Sequence, residues 1–388
     1  MSVSSKSVPP APAAEPAPAS PGAGGAGPAH TGRGVSLRGE DGLLSRVLAL
    51  REGSIILVTI VVAIYFAVNT STFFTGENFK TLLPYFAPLA ILGAGEVFVM
   101  ILGEIDLSIG AMYMFAPIVF YKLDTAAGLG LVPSAILALA LCMVVGAING
   151  AFVAIVGVSS FVVTLGMLFS FEGLSLILSH GTPVSTPGAQ IHQTEVQVHH
   201  VVNGHNIVLG EKINHIGTFA KIFGGGIYSE LIWAVAIVVL LQVVLMFTRW
   251  GLYTVAIGSN KLGAAEAGVK VRLVTIRNFV LCALTAGLVG IFEAVRSQTI
   301  QPDPSGPNEL LLLAIAAAVI GGTLLSGGSG TVVGALIGAL FLGILKDGLI
   351  LQGVDANYLL FYTGLAIIVA MTANVFVART RRGHSGSG

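Results

Sequence analysis

Charge is what this chain has least of. Only 10% of its 388 residues are Asp, Glu, Lys or Arg, and they cancel to a formal net charge of zero, where a globular chain carries about 25% charged residues. A neutral total leaves no electrostatic footprint for a nucleic acid, so no nucleic-acid partner is expected. There are two cysteines, Cys142 and Cys282, each inside an apolar run. That is too few for a disulfide framework or a four-thiolate metal site, and both read as small packed residues. Three catalytic signatures are missing as well. Without Gly-x-x-x-x-Gly-Lys-Ser/Thr the chain cannot hold ATP in a P-loop, and without Gly-x-Ser-x-Gly or His-Glu-x-x-His the commonest hydrolase and zinc-protease readings fall away. Enzyme chemistry has no evident home, no catalytic residue stands out, and no cofactor is expected.

What is present is apolar surface and glycine. A chain 54% hydrophobic with 50 glycines and a mean hydropathy of +0.89 is a polytopic membrane protein, all-α, in contact with a lipid bilayer. Residues 1–45 are the exception. Rich in Pro, Ala, Gly and Ser and poor in large apolar side chains, they cannot offset the entropy of ordering and read as a disordered tail, with no continuous apolar run of the kind a secretory signal needs. The run Leu43–Arg51 reads as an interfacial helix leading into the membrane domain, 46–378.

At about 20 apolar residues per span, the domain offers ten candidates, near 54–73, 81–102, 107–122, 131–156, 160–180, 228–248, 276–296, 309–325, 330–351 and 357–378. Basic residues orient them, because short cytoplasmic loops are enriched in Lys and Arg. With both termini cytoplasmic, 13 of the 19 Lys and Arg residues fall inside, including Arg46, Arg51 and the group Arg249, Lys261, Lys270, Arg272 and Arg277. The tail 379–388 is then cytoplasmic, 181–227 is an outside insertion and 249–275 a cytoplasmic loop. Five spans precede the insertion and five follow it, which permits an inverted repeat. No sequence similarity is read between the halves.

Ionisable groups at membrane depth cost a few kcal/mol or more and normally face a bundle interior or a wet path. Gly103-Glu-Ile-Asp-Leu-Ser-Ile-Gly110 is the densest case, and two readings stand. In one it is a tight connection whose Asp106 or Ser108 caps the next helix. In the other it is a broken helix at a translocation path, with Glu104 and Asp106 at the gate. Glu96, Asn149 and Glu172 join the path candidates. Glu293 and Arg296, three apart, pair on one helix face; the adjacent Lys346 and Asp347 snorkel or line an outer vestibule. Aromatic faces for such a path are Phe98, Tyr113, Phe115, Phe161, Phe169 and Phe171, with Ser160 and Thr164 as polar neighbours.

Gly321, Gly322, Gly327, Gly328 and Gly330 surround Thr323, Ser326 and Ser329 without the lysine of a phosphate cradle, so they read as a sharp turn with close helix packing. The Gly330, Gly334 and Gly338 face is expected against a neighbour, with a second copy of the chain as one option. In the cytoplasmic loop, the Gly258-Ser259-Asn260 turn caps a short helix from Lys261 to Ala267 that Gly268 ends. Five of the eight histidines lie in the insertion and a sixth, His180, at its edge, in a spacing that matches no metal frame. The alternation at 194–202 and 206–209 about Asn203-Gly204 predicts a small hairpin.

Gly-Glu-Ile-Asp-Leu-Ser-Ile-Gly at 103–110, Ala-Ile-Gly-Ser-Asn-Lys-Leu-Gly-Ala-Ala-Glu-Ala-Gly-Val at 256–269 and Ile-Gly-Gly-Thr-Leu-Leu-Ser-Gly-Gly-Ser-Gly-Thr-Val-Val-Gly-Ala-Leu at 320–336 together resemble the permease subunits of bacterial ABC sugar importers. That is the ribose and xylose group, related to branched-chain amino-acid permeases. The resemblance covers most of 54–378. It implies a multi-pass inner-membrane channel subunit that does not hydrolyse ATP itself. An ATP-binding subunit would dock on the loop at Gly258, Ser259, Asn260, Ala264, Ala265, Glu266 and Gly268. It also implies an extracytoplasmic sugar-binding protein and a second permease copy, as a homodimer. The chain departs from the pattern at Glu104, where many relatives have Gly, at Lys346-Asp347-Gly348, where many have Asn-Gly, and in a longer insertion that leans toward xylose, a pentose, as cargo. A self-sufficient ion-coupled carrier, using Glu96, Glu104, Asp106 and Glu172 as ion sites, is the alternative.

Overall fold

The computed structural model describes residues 52–385 other than 190, 203, 204 and 227, with 191–216 and 373–385 described by their backbone alone. The expected tail at 1–45 and the interfacial helix before residue 52 lie outside the described residues. The rest is a helical bundle, in which apolar helices coincide with all ten candidate spans: α1 (Gly53–Asn69), α2 (Gly76–Ile101), α3 (Ile109–Thr125), α4 (Leu131–Ala151, extended by a π-turn at Phe152–Val156) and α5 (Ser160–Ser179). After the insertion, which holds the five-residue α6 (Thr218–Ile222), come α7 (Ser229–Phe247), the loop helices α8 (Arg249–Ser259) and α9 (Lys261–Glu266), then α10 (Val271–Ser297), α11 (Ser305–Ile320), α12 (Val332–Leu351) and α13 (Ala356–Ser385). Six of these, α2, α4 with its π-turn, α5, α7, α10 and α12, are long and apolar enough to cross a membrane on their own, and α1, α11 and the first part of α13 are shorter apolar helices.

The loop helices α8 and α9 define one end of the bundle and the insertion the other, since α7 runs from one to the other. Both ends of the described chain belong to the loop end. Thr331, at the start of α12, donates to the Glu52 carboxylate at 2.7 Å, which pins the beginning of α1 there, and α13 returns to the same end. Side-chain caps set several starts: the hydroxyls of Thr75, Thr248 and Thr331 accept from amides three residues on in α2, α8 and α12. At the insertion end, Ile191–Val202 and His205–Ile216 pair antiparallel from Ile191↔Ile216 to Val202↔His205. The hairpin is thus longer than the alternation suggests. A second two-residue pairing, Val184↔Ile300, fastens the insertion to the end of α10.

The halves interlock. In each half the second span packs on the fourth span of the other half, α2 on α12 and α10 on α4, and α2 and α10 also pack on each other at the centre. The third spans follow the same rule, α2 touching α11 and α10 touching α3. An exchange of the two halves therefore maps the central packing onto itself, as inverted-topology repeats require. The apolar window of α2 is accordingly 89% buried while that of α5 is 22% buried, so α5 turns its apolar side outward, where only lipid suits it.

Glycine makes these crossings close. A Cβ on Gly146 or Gly150 of α4 would strike Phe279, Ala283 or Ile276 of α10, and one on Gly343 of α12 would strike Phe86 of α2. The small-residue face of α12 is spent inside the chain, which corrects the second-copy option: Gly334 lies against the Gly321 carbonyl and Gly338 against the Ala317 carbonyl, both on or just after α11.

Candidate functional site

Three stretches far apart in sequence meet at the loop end. The Gly328 amide donates to the Ile101 carbonyl at 2.8 Å, joining the glycine-rich turn to the end of α2. Gly258 of α8 fits against both groups with no room for a side chain. Gly103 sits against the Ser326 carbonyl, and Ser259 Oγ reaches the Gly328 carbonyl at 3.5 Å. Gly322, Gly327 and Gly328 take positive φ of 94°, 85° and 78°, the left-handed backbone that favours glycine, and Gly330 packs on Ile101 and Thr323.

The loop helices rest on this junction. The Asn260 side chain accepts from the Gly263 amide at 2.9 Å, capping α9, and Gly268 at φ 83° ends the loop helix. Ala264 is buried with Ile257 and Val274, whereas Ala265 and Glu266 are exposed and Leu262 stands 78% exposed beside them. A bracket missed in the sequence ties α8 to the core. Asn278 of α10, fully buried, accepts from Trp250 Nε1 at 2.6 Å, and its amide reaches the Phe98 carbonyl of α2 at 2.8 Å and Thr254 Oγ1 at 3.3 Å. A lone Asn inside an apolar helix was the available signal.

Just above the junction lies a closed polar knot. The Asp106 amide donates to Glu96 Oε1 at 3.0 Å, and the Glu96 Oε2 atom accepts from the Cys282 thiol of α10 at 3.0 Å. Asp106 Oδ1 accepts from the Ser108 amide and hydroxyl at 2.9 and 2.6 Å, and Asn149 Nδ2 of α4 donates to Ser108 Oγ at 2.8 Å. Glu96, Asp106, Ser108 and Asn149 have no exposed surface. Asp106 thus shapes the turn ahead of α3, and Ser108 occupies the cap position without a capping bond of its own. Glu104 lies apart, half-buried at the rim. Glu172 is elsewhere too, on α5 beside the Asn308 amide of α11. Cys282 is a hydrogen-bond donor here rather than the inert packing residue the sequence suggests.

At the insertion end the bundle opens into a cavity of about 730 Å³ among α2, α3, α10 and the start of α11. Tyr85 and Tyr113 offer aromatic faces, and Thr81, Gln301, Glu293 and Arg296 offer hydrogen-bonding groups, the combination a sugar's apolar C–H faces and hydroxyls need. Three ion pairs involve its wall: Arg296 pairs with Glu293 and with Glu230 of α7, 3.4 Å from the latter, and Lys346 lies 3.7 Å from Glu309 and 5.5 Å over the Tyr85 ring. Asp347 instead turns away to accept from Asn78 Nδ2 at 2.8 Å. Of the aromatic candidates only Tyr113 lines this cavity. Sequence reading missed Tyr85 and Gln301, although a signal existed: Pro84, Pro88 and Pro117 interrupt apolar helices and all three line the cavity. A proline frees the carbonyl one turn back. Gly290 of α10 packs against the Tyr113 carbonyl that Pro117 frees. No cluster of His, Cys, Asp or Glu suited to a metal occurs among the described residues.

Residues 78–371, from the first turn of α2 into α13, match the family model of the branched-chain amino acid transport system permease component. The chain belongs to this family. The permease is 33% identical over 338 residues to the xylose/arabinose import permease of Sulfolobus acidocaldarius, covering 84% of this chain and 86% of that protein. To the ribose import permease of Escherichia coli K12 it is 32% identical over 327 residues, 83% of this chain and 92% of the other. To the "probable ABC transporter permease protein" of Sinorhizobium fredii it is 28% identical over 353 residues, 90% and 95% of the two chains. No solved structure matches it. As a member of a permease family it is a transport component rather than an enzyme.

Proposed function

We propose that the permease is the membrane-spanning subunit of an ATP-binding-cassette importer for a monosaccharide, a pentose such as xylose. The observation that carries this is the 33% identity to a xylose/arabinose import permease across 84% of the chain. The cavity supports it, with Tyr85 and Tyr113 facing Thr81, Gln301 and the Glu293–Arg296 pair. The loop end is cytoplasmic in this reading, as the Lys and Arg distribution favours. An ATP-binding subunit docks there on α8 and α9, where Leu262, Ala265 and Glu266 are exposed around the buried anchor Ala264. Gly258, Ser259, Asn260 and Gly268 hold that surface in shape. The insertion end then faces an extracytoplasmic sugar-binding protein that delivers cargo to the cavity, and a second copy of the permease completes the pathway as a homodimer. Glu96, Asp106, Ser108 and Asn149 form the closed inner gate, Glu104 sits at its rim, and Glu172 belongs to the path wall. The glycines 321, 322, 327, 328 and 330 transmit loop motion to that gate.

The test is uptake of labelled xylose into proteoliposomes holding the permease with its ATP-binding subunit and binding protein. Accumulation that requires ATP and both partners, and that unlabelled xylose suppresses more than ribose, is the expected result. Accumulation by the permease alone under an ion gradient would establish the carrier reading instead, and ATP turnover with no monosaccharide movement would overturn the sugar assignment.

A further inference from the structure

The exchange of halves exposes a pattern the sequence alone did not declare. Gly93-x-x-Glu96, nine residues, then Asp106-x-Ser108 recurs as Gly290-x-x-Glu293, nine residues, then Asp303-x-Ser305. The two copies occupy equivalent places, each spanning the end of the second span and the start of the third in its half. Their local geometry agrees. The Ser108 amide donates to Asp106 Oδ1 at 2.9 Å and the Ser305 amide to Asp303 Oδ1 at 3.0 Å. The glycines agree as well: Gly93 of α2 lies at the Ala314 carbonyl of α11, and Gly290 of α10 at the Tyr113 carbonyl of α3.

What differs is the bond between glutamate and aspartate. At the loop end the Asp106 amide donates to Glu96, and both residues are sealed from solvent. At the insertion end Asp303 is exposed, Glu293 is drawn to Arg296, and all three line the cavity. One copy is shut and the other open. Both copies ride on the same two helices, because the hairpin-side half of α2 supplies Thr81, Pro84 and Tyr85 to the cavity, while Cys282 of α10 donates to Glu96 at the other end. A tilt of α2 against α10 that loosens one end tightens the other.

We infer that Glu293 and Asp303 are the outer gate of the transport path: the cavity closes when the Asp303 amide donates to the Glu293 carboxylate, as Asp106 now does to Glu96, and Arg296 is the latch that holds this gate open. The inference rests on the transport reading but names a contact that can be tested without cargo or partners. Native Cys142 and Cys282 are buried, so spin labels can be placed at Thr81→Cys and Gln301→Cys, two exposed positions on the cavity wall. Distances are then read by double electron–electron resonance on the full chain in nanodiscs.

Glu96→Met removes the acceptor of the inner gate and Arg296→Gln removes the outer latch. Each should raise the ratio of short to long distances by roughly tenfold or more, the worth of one hydrogen bond to a charged group. Adding Glu293→Met to either variant should abolish the short population. If Glu96→Met does not yield folded protein, Arg296→Gln carries the test alone. An unchanged distance distribution in the folded single variants, or a short population that survives Glu293→Met, overturns the gate. Unchanged distances in the variants beside ATP-driven uptake by the unsubstituted chain would remove the gate and leave the transport reading standing; the expected shifts beside no sugar uptake by the unsubstituted chain would do the reverse.

Discussion

Gly258 is the place where the smallest possible side chain should do the most damage. It lies in the last turn of α8 with ordinary helical geometry, so Ala is no burden to its backbone. Space is the obstacle. A Cβ there would stand 2.6 Å from the Gly328 amide nitrogen, roughly 0.8 Å short of the 3.4 Å at which ordinary contact begins, and nearer still to the Ile101 carbonyl. Neither group can swing aside, since both are backbone and bonded to each other at 2.8 Å. Gly258→Ala must therefore lift α8 off the junction or break that bond. Overpacking of this kind costs about 1–3 kcal/mol, and the lost hydrogen bond adds about 1 kcal/mol. The expected outcome is a melting temperature several degrees lower and, in the reconstituted importer, uptake lowered about tenfold or more at conserved ATP turnover, because the loop helices no longer pull on α2. Gly166→Ala is the control: it sits exposed on α5 with nothing within 4 Å of its Cβ, and should be neutral or stabilising by up to about 1 kcal/mol. Wild-type stability and wild-type coupling in Gly258→Ala would refute the reasoning.

Asn278→Ala deletes the bracket from Trp250 and Thr254 to Phe98; a loss of about 2–4 kcal/mol in unfolding free energy is expected from the orphaned partners, checked by thermal melting in detergent. Ser108→Ala leaves Asn149 Nδ2 without its acceptor and should cost about 1–3 kcal/mol, read in the same melts. Glu104→Gly, at the rim of the knot rather than in it, should keep uptake within about twofold; a larger loss would make that carboxylate part of the gate. Asp303 lies outside the spans, where hydrogen bonds from the Ser305 amide and hydroxyl hold its carboxyl below the ordinary 3.8. A depressed native value means its contribution is present above the unfolded-state value and is lost as pH falls through the native one. Asp303→Asn should therefore flatten the acid limb of the melting curve below about pH 4 and lower the neutral plateau, so that the two proteins converge in acid.

Much of the helical plan was legible because a membrane span announces itself by length and apolarity. Local caps were legible too: Asn260 and Gly268 do at the loop what their chemistry suggests. Convergence was not. Nothing in the spacing of Ile101, Gly258 and Gly328 says that one carbonyl, one amide and one missing side chain meet at a point, since that depends on how helices from both halves cross. The octapeptide showed its charge but not its acceptor, because Glu96 reaches the Asp106 amide across the turn that ends α2. The cavity was hardest to foresee. Its polar lining comes from the ends of α2 and α10, whose side chains look like ordinary interfacial residues in one dimension, and only the helix-interrupting prolines marked the spot. The repeat of Gly, Glu, Asp and Ser lay open in the sequence, yet four matches in a stretch of sixteen become visible only once packing shows which helices correspond.

The crossed pairing of α2 with α12 and α10 with α4 has a consequence for how the protein is made. After the fifth span leaves the ribosome, α2 still lacks α7, α10, α11 and α12, the helices it packs on most, and Glu96 waits in the bilayer without the Cys282 thiol. The first half is therefore a client for an insertase or chaperone until α10 and α12 arrive, and quality control must judge the chain late. A chain divided within the hairpin at 203–204 should yield two fragments that are each degraded alone and that rescue one another when synthesised together.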